Sequence, residues 1–144
     1  MIPFALGIPT INRYDLLEET LQKYTADFPN TKIFIVDNGN QGIKNHINTE
    51  IHIVSRNFGV AGSWNFLCDL IFEQHQVAII LNDDVYWGRS QEQVKEFLVR
   101  RGNEDFLLTE KDWCSFALPK RTFTLVGNFD ERIYPAYHED NDYE

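Results

Sequence analysis

Short apolar runs, each closed by turn formers or a polar cluster, recur along this chain. They are "PFALGIPT" at 3–10, "TKIFIVDNG" at 31–39, "EIHIVS" at 50–55, "QVAIILNDD" at 76–84 and "WCSFALP" at 113–119. A run of this length, rich in β-branched residues, reads as a strand buried on both faces. Between the runs lie stretches with helical spacing. In "NRYDLLEETLQKY", Leu16, Leu17, Thr20, Leu21 and Tyr24 fall on one side, with Asn12 or Asp15 placed to cap. "GVAGSWNFLCDLIFEQ" reads as a glycine-opened helix and "SQEQVKEFLVRR" as an amphipathic one. Strands apolar throughout and alternating with helices predict an α/β fold, with a mostly parallel central sheet covered by helices on both faces. Ligands of such sheets sit beyond the carboxyl ends of the strands. The polar segments "PTINR", "DNG", "RNFGVAG" and "NDD" all follow strands, so they are expected to converge on one cleft.

The 144 residues fit one domain, 1–144, large enough for a real core. A net charge of −9 argues against a general nucleic-acid binder, which needs a concentrated basic surface. Cys68 and Cys114 match no metal spacing and read as buried reduced thiols. The N-terminus lacks a basic region before its apolar residues, and no apolar run reaches the length of a membrane span. The expectation is a cytoplasmic protein without an integral membrane segment.

Three segments carry candidate chemistry, each with two readings. "LNDDV" brings Asn82, Asp83 and Asp84 to the end of a strand, either as oxygen ligands for Mg²⁺ or Mn²⁺ or as a solvated turn. "RNFGVAGSWN" places Gly59 and Gly62 at a helix start. Bare amides there attract phosphate, although glycine-opened helices are common and the spacing is neither a P-loop nor a dinucleotide fingerprint. Asp37 in "IVDNG" is either an acceptor for a base or ribose or the first residue of a tight turn.

Taken in order, these segments resemble the family 2 type of inverting glycosyltransferases with the GT-A fold, especially the rhamnosyltransferase-like branch. "LVGNFDERIYPAYHED" is similar to the family's segment preceding its catalytic acid. "IPTINR", "IVDNG", "RNFGVAGSWN" and the DXD-like "LNDDV" match in turn, from about Ile8 to Asp142. The resemblance implies a single GT-A (Rossmann-like) domain and a hexosyltransferase-type enzyme. Such an enzyme moves a sugar from a nucleotide-diphosphate donor to a hydroxyl acceptor, a glycan or a lipid-linked saccharide.

The resemblance also implies roles. Pro9, Thr10 and Arg13 line the nucleotide site, and Asp37 bonds the base. Asn57 and Gly59 border the nucleoside and sugar, with Asn65 one turn into the helix. Asp84 is the metal motif's last acid, with Asp83 beside it. Asn82 stands where the family often has aspartate, a departure that shifts weight to Asp83. Asp140 is the catalytic base and Glu139 orients it or meets acceptor. Trp64 and Trp87 read as core or rim aromatics, Trp87 being the better placed for a sugar. Arg121 reads as a surface arginine, and His138 abuts the acid pair. The chain stops four residues after Asp140, so the expectation is a complete donor half and an acceptor side that is either truncated or naturally short, and then open or completed by a partner domain. Two rivals remain: a sugar-nucleotide-binding module without turnover, and a sugar-phosphate nucleotidyltransferase, which would want a glycine- and lysine-rich phosphate loop that "GIPTINRY" lacks.

Overall fold

A computed structural model describes residues 2–11, 14–54, 56–83, 86–101, 104–110 and 115–129. Arg13, Asp84, Cys114, Glu139 and Asp140 therefore lie outside the described residues, as do Asn12 and His138.

The strands are β1 (Phe4–Thr10), β2 (Ile33–Asp37), β3 (Thr49–Ile53), β4 (Val77–Leu81), β5 (Leu108–Glu110) and β6 (Ser115–Pro119). The helices are α1 (Tyr14–Asp27), α2 (Gly59–Ile71), α3 (Gln91–Arg101) and α4 (Lys120–Val126). One sheet runs in the order β3-β2-β1-β4-β6-β5. Its first four strands are mutually parallel, and β6 then runs antiparallel to both β4 and β5. The expected mixed α/β architecture with a mostly parallel sheet is what the chain forms.

The pleat sorts the core into two layers. On one face Leu6, Ile8, Ile33, Ile35 and Ile79 meet Leu17, Leu21 and Tyr24 of α1 and Val94 and Leu98 of α3. On the other, Ala5, Phe34, Val36 and Ile80 meet Trp64, Leu67 and Ile71 of α2 and Phe123 of α4. Helices thus cover both faces. Such side chains, each worth about 1.5–3 kcal/mol when fully buried, explain why β1, β2 and β4 carry almost no polar residues. Gly7 lets α2 seat closely, because a Cβ there would come within 2.8 Å of Ile80 Cδ1 and 3.2 Å of Ile71 Cδ1.

Three findings differ from the sequence reading. "EIHIVS" is a half-buried edge strand rather than a buried one, with Ile53 exposed, because β3 has a neighbour on one side only. The short β5 and α4 were not expected from the sequence. Asp15 lies inside the first turn of α1, where its charge suits the helix dipole, instead of in the capping position. Cys68 is a free, fully buried thiol whose ionisation burial pushes well up. Among the described residues no helix is long and apolar enough to cross a membrane.

Candidate functional site at the strand ends

Because β1 to β4 are parallel, their carboxyl ends share one edge, where described residues of the segments that follow them are hydrogen-bonded together. A chain of hydrogen bonds joins three of these ends. The Thr10 hydroxyl, at the end of β1, donates to Asp83 Oδ2 at 2.8 Å, just past β4. Gln41 Nε2 donates to Asp37 Oδ1 at 3.0 Å and lies 3.4 Å from Thr10 Oγ1. Asp37, Gln41, Thr10 and Asp83 thus form a continuous polar relay across β2, β1 and β4.

Both ends of the relay are anchored. Asp37 is fully buried, and its carboxylate also accepts the Gly39 amide at 3.0 Å and the Gln41 amide at 2.7 Å. Three N–H donors therefore hold it in the turn it opens, and the backbone continues the lock through the Asn38 amide to the Thr10 carbonyl at 2.9 Å. The loop it organises includes Asn40 in the left-handed region, φ 49°, a conformation asparagine tolerates. At the other end the Asp83 carbonyl sits 3.1 Å from the Thr20 hydroxyl of α1, which also reaches the carbonyls of Leu16 and Leu17. Strand β1 and helix α1 together fix Asp83.

A second set of bonds draws the start of α2 to the same edge. Asn38 donates to Ser63 Oγ at 2.9 Å, and its Oδ1 accepts the Phe58 amide at 3.0 Å. Asn57 Oδ1 accepts the Gly59 amide at 2.9 Å. Gly59 enters the helix at φ 76°, a conformation that penalises any side chain, so its backbone alone demands glycine here. The Arg56 guanidinium lies over the Phe58 ring, 5.3 Å from its centroid, and is a cation beside this turn.

Of the expected site residues, Thr10 and Asp83 are joined directly and Asp37 joins them through Gln41, while the turn that holds Asn57 and Gly59 is tied in by Asn38. Pro9 lies on β1 next to Thr10 and Asn82 next to Asp83. Asn65 is different. It is buried, it donates to the Phe129 carbonyl at 2.9 Å, and it accepts the Phe129 amide at 2.8 Å. It clasps the backbone just before "DERIYPAYHED". Trp64 is core, packed edge-on against Phe116 and Phe129. Trp87 stacks on Phe28 with ring planes 10° apart, and its amide donates to the Tyr24 hydroxyl. Arg121 is a surface residue paired with Asp105 at 3.2 Å. The sequence reading gave no role to Asn38, Gln41, Ser63 or Thr20. Asn38 and Ser63 fell within the quoted "DNG" and "RNFGVAGSWN" and Thr20 on the apolar side of α1, whereas Gln41 carried no local signal.

Among the described residues no three acids, histidines or cysteines gather as a metal cluster. The described part of the acidic loop offers the oxygens of Asn82 and Asp83, donors that suit a hard divalent cation. Comparison with known proteins finds no matching family model and no matching curated protein.

Proposed function

We propose that this chain is an inverting, metal-dependent glycosyltransferase with a single GT-A domain, transferring a sugar from a nucleotide diphosphate to a hydroxyl acceptor. The observation that carries the reading is the relay from Asp37 to Asp83 at the carboxyl edge of a parallel sheet, where open α/β sheets take ligands. It stands beside the ordered motifs of the sequence.

In this reading Asn82 and Asp83, with Asp84, hold Mn²⁺ or Mg²⁺. The Thr10 hydroxyl supplies the outer hydrogen bond that aims the Asp83 carboxylate. When bound, such an ion offsets the charge that builds on a departing diphosphate. The α2 N-terminus and Arg56 provide further positive potential on the same edge. Asp37 keeps the loop between β2 and β3 in shape for the nucleoside, its oxygens already engaged by backbone and Gln41 donors. Asp140 is assigned the acceptor's proton and Glu139 the orientation of that base. General base assistance of this kind contributes about 10²–10⁴-fold.

The test is a thermal-shift panel of uridine, thymidine and guanosine diphosphate sugars, with and without Mn²⁺, followed by transfer and donor-hydrolysis assays. One donor is expected to stabilise the chain, and only with metal. Thr10→Val should weaken that binding by about 10–100-fold, the usual cost of an outer-shell partner. Asp140→Asn should keep the shift and lower turnover by about 10²–10⁴-fold. A metal-dependent shift without transfer or hydrolysis would assign a sugar-nucleotide-binding module instead. No shift with any donor would remove the reading.

A further inference from the structure

A concavity lies between α3 and the strands β4, β6 and β5. It measures about 380 Å³, within the size range of small-molecule sites. None of the residues of the strand-end relay lines it. Its walls are apolar: Val94 and Leu98 from α3, Ile79 from β4, Ala117 from β6, with Phe106 and Trp87 closing the sides.

Of the polar residues that line it, Ser115 is the buried one. Ser115, at the start of β6, is only 4% exposed, and its hydroxyl has no hydrogen-bond partner among the described residues. The pleat puts Ser115 on the same face as Ala117, so the hydroxyl belongs to the cleft side of the sheet. A buried hydroxyl left unpaired is costly, and an apolar residue of similar shape would avoid the cost. At the rim stand Arg89 and Arg100 against one acid, Glu96. The other basic residues of α3 are paired: Lys95 with Glu92 and Arg101 with Glu104. Arg100 has no ion pair among the described residues.

We propose that this cleft is a binding site for a small amphiphilic anion. Its apolar ring system lies against Trp87 and Phe106, one of its polar atoms bonds the Ser115 hydroxyl, and its anionic group faces Arg100. The inference is independent of the transferase reading, since no residue of that site takes part.

The probe is 8-anilinonaphthalene-1-sulfonate, titrated by fluorescence into the folded chain alongside its uncharged counterpart N-phenyl-1-naphthylamine. Saturable one-to-one binding of both is expected. Arg100→Gln should weaken the sulfonate and leave the neutral probe unchanged. Ser115→Val should weaken both by about tenfold, the loss of one hydrogen bond, while raising Tm because an unpaired buried hydroxyl is gone. Ala117→Leu, which fills the cleft from the sheet, should abolish binding; should that variant fail to fold, Ser115→Val carries the test. Binding that is not saturable, or that survives Ser115→Val undiminished, overturns the proposal. So does a fall in Tm for Ser115→Val, which would mean that the hydroxyl already has a partner.

Discussion

Tyr24 shows how one residue connects core and loop. Its ring is fully buried against the sheet, and its hydroxyl accepts the Trp87 amide at 3.0 Å. Burial pushes its pKa up from 10.0 to about 12. The unfolded chain releases this proton near pH 10, whereas the folded chain holds it to about 12. Between those values the native state binds more protons, so stability falls as pH rises, by about 2–3 kcal/mol in total. Tyr24→Phe should therefore cost about 1–3 kcal/mol at pH 7, through the orphaned Trp87 amide, and flatten the alkaline decline. Urea melts at pH 7, 10 and 12 check both. An unchanged slope would show that other groups govern alkaline unfolding. Asp37 makes the complementary point. Its sequence context offered a ligand and a turn, with the turn favoured in isolation, and the structure shows three donors from the turn on its oxygens. That engagement depends on Gln41, whose side chain had no reason to be noticed in a one-dimensional string.

Elements were legible to different degrees. β1, β2 and β4 announced themselves because strands buried on both faces must be apolar throughout, and α1, α2 and α3 through their spacing. The direction of β6 was not legible, since an apolar run carries no polarity along the chain. β5 spans three residues, too few for a pattern. α4, "KRTFTLV", is short and rich in β-branched residues with poor helix propensity, so it depends on Phe123 packing against Phe72. The start of α3 was readable in principle. Ser90 and Gln93 form a reciprocal capping box, with the Ser90 amide donating to Gln93 Oε1 at 2.9 Å and the Gln93 amide to Ser90 Oγ at 3.3 Å. The clasp between α2 and Phe129 was not, because a buried asparagine names no partner. Asn65→Ala should leave a buried amide and carbonyl unpaired and cost about 2–4 kcal/mol. Asn65→Asp should recover part of this by accepting the Phe129 amide. Chemical denaturation of both variants gives the ranking, and equal stability for the alanine variant would show that the clasp contributes nothing.

Across the whole molecule, the sheet is strongest in the middle. β1 has parallel partners on both sides and a buried pattern along almost its whole length, whereas β3 and β5 are edges. Amides in β1 and β4 are expected to exchange only on global opening, those of β3 and β5 by local opening and at least about a hundredfold faster. Hydrogen-exchange mass spectrometry resolves this by peptide. Equal protection of β3 would mean that its free edge is covered in solution by another chain. The relay at the strand ends sits on the stable side of this gradient, between β2, β1 and β4, which suits a site whose geometry must not drift.

The reversal of β6 has its own consequence. Leu81 and Ser115 are register partners, so the excursion that carries α3 and the edge strand β5 begins and ends at adjacent positions of the sheet. In topological terms β4 and β6 are the two arms of one wide hairpin, and α3 with β5 is an ornament hung on its tip. An ornament of that kind can be lengthened, shortened or exchanged without re-threading the parallel strands. The α3 cleft is walled on one side by the ornament, so a change in the ornament would reshape the cleft and leave the parallel pairings of β3, β2, β1 and β4 untouched.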